Sequence, residues 1–340
     1  MERTRQDDVA GNGTGVGAEG SHSDTAGFFS SARVLRQPLG SNIRPGALAG
    51  YYIDMSRKAD LPRWPPPWLA APKMDPIIGA AQWGLGADER YLGGEGDVWR
   101  DAALEAALHL LQGQEKRGEQ KGAWIHRYSL DHTFDVGDRW ISAMAQGEAA
   151  SLFVRAHAVS GDDGFADAAL LALRPLGIAQ SAGGVRAQLG GGYFLQEYPT
   201  DPPAHVLNGG IFALWGYHDV ALALGDTDAR REFDEGAETL AKNLGRWDTG
   251  SWTRYDLFPF PVVNLASSFY HLLHIDQLRA MQLIAPRSEF EAAVRRFEGY
   301  SASRALWTRA FAHKALFRIL VPRNRVLGRR SPFRGPRRPK

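Results

Sequence analysis

The sequence predicts a mainly α protein: an α/α toroid, an incomplete barrel of helical hairpins, with short β-hairpins at one rim. Three observations carry this. Apolar residues recur at three- and four-residue spacing through nine successive segments from residue 75 onward. Segments rich in Gly, Ala and Ser alternate with more charged, amphipathic ones, as expected where inner helices crowd around an axis and outer helices cover them. A Gly-Asp turn closes a small-residue segment at Gly161-Asp162 and again at Gly225-Asp226, 64 residues further on. That period exceeds most solenoid repeats because extra segments intervene. A plain α-solenoid is the alternative arrangement of the same hairpins.

Residues 1–30 are rich in Gly, Ser, Thr and Asp and lack the apolar core of a secretory signal, so disorder is expected there. Residues 31–75 contain Tyr51 and Tyr52 in YYIDM and the proline cluster RWPPPWLAAP, and read as an extended lead-in packing on the body through its aromatics. The toroid is expected over 76–320. Its first hairpin is DPIIGAAQWGL with DVWRDAALEAALHLLQ. SAMAQGEAASLFVRAHAVSG with DDGFADAALLALRPL forms the second, and NGGIFALWGYHDVALALG with DTDARREFDEGAETLAKNL the third. ASSFYHLLHIDQLRAMQLI and RSEFEAAVRRFEGY follow, then SRALWTRAFAHKALFRIL. Strand character is confined to pieces such as GAWIHRYSLDHTF and GGYFLQEYP.

Residues 321–340 carry eight basic side chains and no acid, and read as a disordered basic tail. Without them, 32 basic side chains face 38 acidic ones. The body is therefore mildly acidic, and an anionic ligand must be met by a local cluster of donors. No cysteine is present, which excludes disulfides, thiolate metal sites and a cysteine nucleophile. No apolar run reaches eighteen residues, so no transmembrane segment is expected, and a cytoplasmic protein is. Phosphate-binding, dinucleotide and calcium-loop motifs are missing, and no cofactor is expected. His271 and His274 lack the HExxH pattern and an acidic partner at recognisable spacing, so no metal is expected either.

The densest concentration of chemistry-bearing residues lies between Gly190 and His274, in loops on a helical scaffold, where sites form. Glu197 and Tyr198 precede a proline-rich turn; Tyr255 and Asp256 follow a Gly-Ser turn; Tyr270, His271 and His274 open the next helix. Tyr270 and His274, four apart, share a face. Taken singly, each tyrosine reads as a packing residue with a satisfied hydroxyl.

Four strings change that reading: WISAMAQGEAASLFVRAHAVSGD, EYPTDPPAHVLNGGIFALWGYHDVA, WDTGSWTRYDL and NLASSFYHLLHIDQL. In their order and separations, over roughly residues 76–300, the chain resembles the D-glucuronyl C5-epimerases. The resemblance implies a helical-toroid catalytic domain with Tyr198, Tyr255, Tyr270 and Glu197 as catalytic residues. It implies Gln146, Asn208, Arg254, Asn264, His271 and His274 as substrate contacts or their supports. Phe258 and Ser267 stand where the family carries arginine, with Arg254 and Arg139 as candidate replacements. The implied reaction inverts D-glucuronate to L-iduronate within a polysaccharide. Two acid-base groups must flank the ring, because one base alone cannot invert a centre. The implied partner is a uronate-containing polysaccharide or oligosaccharide; no specific nucleic acid is expected, and a homodimer is admitted.

Two other readings share the toroid. A polysaccharide lyase begins with the same C5 proton abstraction, and a glycoside hydrolase would draw its carboxylate pair from Glu197 with Asp248 or Asp256. A non-catalytic carbohydrate-binding relative is the third.

Overall fold

The computed structural model describes residues 36–67, 76–129 and 132–323. The expected disordered stretch 1–30 and the basic tail from residue 324 lie outside the described residues. The described part is mainly α: α1 (Pro76–Leu92), α2 (Asp97–Gly113), α3 (Ala143–Ser160), α4 (Asp163–Leu173), α5 (Leu207–Leu224), α6 (Thr227–Asn243), α7 (Ser268–Ile284), α8 (Ser288–Ala302) and α9 (Arg304–Leu320), with one hairpin, β1 (Arg186–Leu189) and β2 (Gly192–Leu195). Among the described residues, no helix is long and apolar enough to cross a membrane.

The repeated Gly-Asp pair has a local cause. Gly161 and Gly225 end α3 and α5 in the left-handed region, with φ of 71° and 66°, and their N–H groups return to His157 and Ala221 carbonyls. The aspartate that follows caps the next helix: Asp162 accepts from Gly164 N, and Asp226 from Ala229 N. Glycine tolerates the left-handed stop and aspartate satisfies an orphan N–H at the start, so two residues turn the chain back on itself.

The hairpins stack as an arc. Helices α2, α4, α6 and α8 pack on α1, α3, α5 and α7 in turn, while α1 packs on α3, α3 on α5, and α5 on α7. The inner helices are buried all round, α3 from Ala143 to Ala156 and α5 from Leu207 to Val220. Outer helix α6 instead buries one stripe, including Ala229, Phe233, Ala237 and Leu240. The inner helices run parallel, since their contacts advance together: Gln82 bonds Glu148 and Asp88 meets Arg155, while Asn208 bonds Gln277 and Trp215 reaches Met281. This is the α/α toroid, open as an incomplete ring.

Parallel inner helices give the arc two unlike ends. At the C-terminal end, the buried Arg155 guanidinium donates to Asp219 at 2.7 Å and lies 3.6 Å from Asp88. The lead-in closes over it: the Tyr52 hydroxyl donates to Asp219 at 2.5 Å and meets His218 Nδ1, Tyr52 packs on Trp215, and Tyr51 stacks on Phe212. Arg36 forks onto Asp276 of α7. At the N-terminal end lies the hairpin, in register Arg186 with Leu195 and Leu189 with Gly192. Its exit is fixed to the start of α3 by Ala143 N donating to the Gln196 carbonyl at 3.0 Å. Glu197 and Tyr198 therefore emerge at the rim where the inner helices begin. The strand-like piece 122–134 makes only an isolated bridge, His126 to Trp140, among the described residues.

Inner-helix spacing rests on glycine. A Cβ at Gly147 would fall 2.6 Å from Ala213 Cα, and one at Gly216 would fall 2.5 Å from Gly147 Cα. Elsewhere in a helix, alanine gains about 0.5–1 kcal/mol over glycine; here the neighbour is backbone and cannot yield. Gly147→Ala is expected to lower stability by roughly 1–3 kcal/mol, whereas Gly299→Ala in α8, where a Cβ meets nothing within 4 Å, raises it. Denaturant midpoints of the two variants should move in opposite directions.

Candidate functional site

The rim collects side chains from four places: the segment after β2, the loop 252–266, the first turn of α7, and the segment ending at Phe134. Backbone bonds hold the loop beside the entry to α5, with Leu207 N donating to the Tyr255 carbonyl at 3.2 Å and Leu257 N to that of Ala204 at 2.7 Å. Ser267 caps α7 by accepting from Tyr270 N, which sets Tyr270 in the first turn. The Tyr255 and Tyr270 rings then meet edge to face at 4.9 Å. His132 lies 4.8 Å from the Tyr198 ring and 6.2 Å from that of Tyr255, so one imidazole touches two of the three tyrosines. Phe134, Ala204, Val206, Phe258 and Ala266 make the apolar bed beneath them.

Glu197 is buried against the first turn of α5. A Cβ on Gly209 would fall 2.2 Å from its Oε2, so the missing side chain lets the carboxylate lie on the helix start. The positive end of the α5 dipole favours a carboxylate there.

Burial, followed by the charges of Glu197 and the neighbouring Tyr198, Tyr270 and Asp256, pushes the Tyr255 phenol well above the ordinary tyrosine range. Burial and Glu197 push Tyr270 up to about 12, against Arg323 and a hydrogen bond from Tyr255. Both phenols therefore hold their protons in the free protein. Positive charge lies near His132: burial, then Arg318, Arg323 and Lys314, lower it to about 3. Asp256 is pushed up to about 7 by burial, although Asn264 and the Phe258 N–H stabilise its ionised form. Lys314 is pushed down to about 7 by burial and Arg318, with Asp256 opposing.

Of the residues singled out in the sequence, Glu197, Tyr198, Tyr255 and Tyr270 converge here. Asn264 lies beside them, its amide donating to Asp256 and its carbonyl oxygen accepting from Lys314 Nζ at 2.7 Å. Arg254 is half-buried, its Nε donating to the Asp256 carbonyl at 3.2 Å. Asn208 and His274 extend the site inward: Tyr270, His274 and Gln277 share one face of α7, and Gln277 donates to the Asn208 carbonyl at 3.0 Å. Asn208 Oδ1, Gln277 Oε1 and His274 Nε2 are buried without a hydrogen-bond partner among the described residues, leaving acceptors along this face.

His271 and Gln146 serve the scaffold. The Phe297 carbonyl must take the His271 Nε2 proton (3.1 Å), so Nδ1 accepts from the Thr253 hydroxyl (2.8 Å), which in turn accepts from His274 Nδ1 (3.2 Å). With His271 stacked on Trp252 at 3.8 Å, this chain fastens the Tyr255 loop to α7. Gln146 commits its amide to backbone groups of Gly122, Trp124 and Ala172. Arg139, exposed, donates to Gln120, and Asp248 pairs with Arg296 and Tyr300 of α8. Among the described residues, no group of three His, Asp or Glu side chains could hold a metal ion.

Sequence reasoning missed His132, Lys314, Arg318 and Arg323. One signal was available in α9, whose buried face runs through Ala310, Phe317 and Val321: Lys314 falls on that stripe, where a hydrophobe belongs.

The fold and the site together define an α/α-toroid protein with a cluster of tyrosines and a buried carboxylate at one rim. The family model described as "D-glucuronyl C5-epimerase C-terminus" matches residues 117–299, more than half of the chain, and the chain belongs to that family. A D-glucuronyl C5-epimerase of Caenorhabditis elegans is 30% identical over 204 residues, covering 55% of this chain and 33% of the worm protein. An uncharacterized Methanocaldococcus jannaschii protein, MJ1128, is 26% identical over 137 residues, covering 39% of this chain and 44% of its own length. The chain thus spans a third to under half of these relatives. A solved structure of a UGL variant with dGlcA-Glc-Rha-Glc aligns over 71% of this chain and 74% of its own, at 14% identity and a TM-score of 0.43.

The Lys314 environment makes a direct prediction. Its lowered pKa means an ammonium below about pH 7 and a neutral amine above it. The charged groups facing it are Asp256, Arg318 and Arg323. NMR of the lysine Nζ and Cε resonances should show one lysine titrating near pH 7, absent in Lys314→Met.

Proposed function

We propose that this protein inverts C5 of D-glucuronate units within a polysaccharide, giving L-iduronate, by two-base proton abstraction and return. The observation that carries the reading is the convergence of Tyr198, Tyr255 and Tyr270 around one apolar bed with Glu197 beside them; membership of the epimerase family supports it.

The C5 proton must leave one face of the sugar and another must arrive on the opposite face. Tyr198 comes from the segment after β2, whereas Tyr255 and Tyr270 come from the loop and α7, and in this proposal the sugar ring is held between the two groups with a phenol on each side. A protonated phenol is the acid without further change. The opposing phenol becomes a base by passing its proton towards Glu197, whose charge already acts on Tyr255 and Tyr270. This exchange moves negative charge from carboxylate to phenolate and leaves the total unaltered. As the proton leaves C5, charge grows on the uronate carboxylate, and preorganised donors there lower the barrier. In this reading Asn264, Arg254, Lys314 and Arg318 are the candidate donors.

The test is NMR of heparosan incubated with the protein in deuterated water. Deuterium at C5 with iduronate signals is expected. Tyr198→Phe and Tyr255→Phe should each slow exchange roughly 10²–10⁴-fold while retaining the native circular dichroism. An unsaturated, ultraviolet-absorbing product would instead identify a lyase, and full exchange in both tyrosine variants would reject the assignment of roles.

A further inference from the structure

Helix α9 begins beyond residue 299, where the family match ends, yet it brings its own cations to the site. It docks on the Tyr255 loop along one face: Trp307 meets Trp252 at 5.2 Å, Phe317 meets Phe260 at 5.3 Å, and His313 Nε2 donates to the Val263 carbonyl at 2.8 Å. Within that face, Lys314 Nζ donates to Asn264 Oδ1 at 2.7 Å and the Leu265 carbonyl at 2.6 Å, 5.7 Å from the Tyr255 ring centroid. One turn later, Arg318 Nη1 donates to Thr133 Oγ1 at 2.8 Å, next to His132, which touches Tyr198 and Tyr255. Arg323 completes the group, and its charge acts on Tyr270 as well as on Lys314, Arg318 and His132.

Three cations in a partly buried cluster repel one another and lose hydration. Asp256 offsets part of this, but its carboxyl is already bonded to Asn264 and the Phe258 N–H. No described carboxylate forms an ion pair with Arg318 or Lys314. Apart from the bond to Thr133, the Arg318 fork has no hydrogen-bond partner among the described residues. A cationic cluster of this kind, in a body with an acidic balance, is completed by an anion, and a planar fork matches a carboxylate with two parallel bonds.

We propose that Arg318, with Lys314 and Arg323 behind it, is the subsite for the carboxylate of the reacting uronate unit. The proposal rests on the epimerase reading for the identity of the anion, and on the geometry of α9 for its place. Arg318 thereby fixes the sugar ring between the tyrosines and holds the charge that develops as C5 loses its proton.

The experiment compares wild-type protein with Arg318→Gln, Arg318→Lys and, as a charge control on the exposed side of the same helix, Arg309→Gln. Kinetics of C5 exchange on heparosan are measured together with equilibrium binding of heparosan and of its carboxyl-reduced counterpart. Loss of a charged hydrogen-bonding partner predicts a fall in kcat/KM of roughly 10–100-fold for Arg318→Gln, partial recovery in Arg318→Lys, and no change in Arg309→Gln. Wild type should bind the native polymer more tightly than the reduced one, and Arg318→Gln should lose that preference. Unchanged kinetics and an unchanged preference in Arg318→Gln would overturn the subsite. The two readings fail separately: wild type without exchange but with an Arg318-dependent carboxylate preference sinks the epimerase reading alone. Active wild type indifferent to Arg318 sinks the subsite alone. A preference that persists only on N-sulfated polymer assigns the cluster to sulfate and rejects the carboxylate assignment.

Discussion

The backbone contact between α3 and α5, where Gly147 lies against Ala213 and Gly216, is the constraint on which the rest of this structure depends. Two helices brought this close have no room for a β-carbon between them. The approach holds the inner helices parallel and close to the axis, and so gathers their N-terminal ends at one rim and their C-terminal ends at the other. Site and anchor are consequences of that polarity. Positive helix ends face the rim where Glu197 rests on Gly209, and the buried Arg155, Asp88 and Asp219 occupy the other.

Both ends bury charge, but in different balance. At the anchor, Arg155 is matched by two aspartates and sealed by Tyr52, so its charged form is strongly favoured despite complete burial. Breaking such a set by removing one partner typically costs about 3–5 kcal/mol, and the lead-in is thereby tied to three helices at once. At the rim the matching is incomplete. Lys314, Arg318, Arg323 and Glu197 all gather near the phenols, with Asp256 held partway between its charged and neutral forms near pH 7. Charge pairing holds the anchor, whereas at the rim no described carboxylate forms an ion pair with Lys314 or Arg318.

Much of the fold was legible because it is local. The Gly-Asp pairs announce helix reversal through φ and capping alone, and the alternation of small-residue and amphipathic helices reports which ones lie inside. The tyrosines were legible only through the order of four strings, since nothing in the spacing of residues 198, 255 and 270 says that they meet. The roles of Gln146 and His271 were not legible: an amide bonded to backbone groups and an imidazole stacked on Trp252 look, in sequence, like polar residues awaiting a ligand. The cations of α9 were hidden for the opposite reason. Basic residues near a basic C-terminus read as solvated, and only tertiary packing shows that Lys314 lies on the buried stripe of its helix.

Those cations bear on the hardest step of the proposed epimerisation. With Tyr270 pushed up to about 12, stripping its proton into water at neutral pH costs about 7 kcal/mol, at roughly 1.4 kcal/mol per pKa unit. An unperturbed phenol would cost about 4 kcal/mol on the same scale. The site has made the phenolate harder to form, which suits the residue that donates a proton and burdens the one that accepts it. Two features reduce that burden without water. Glu197 supplies an internal proton acceptor, and its neutralisation removes the second-largest influence raising both phenols. Arg318 and Arg323 would then act on phenols no longer opposed by the carboxylate, so that in the proposed reaction proton movement and electrostatic support reinforce each other. In the proposed reaction a tyrosine serves as a base where a carboxylate can take its proton and cations stabilise the phenolate, and the loop, α5 and the segment through Arg323 bring both kinds of charge to one cluster.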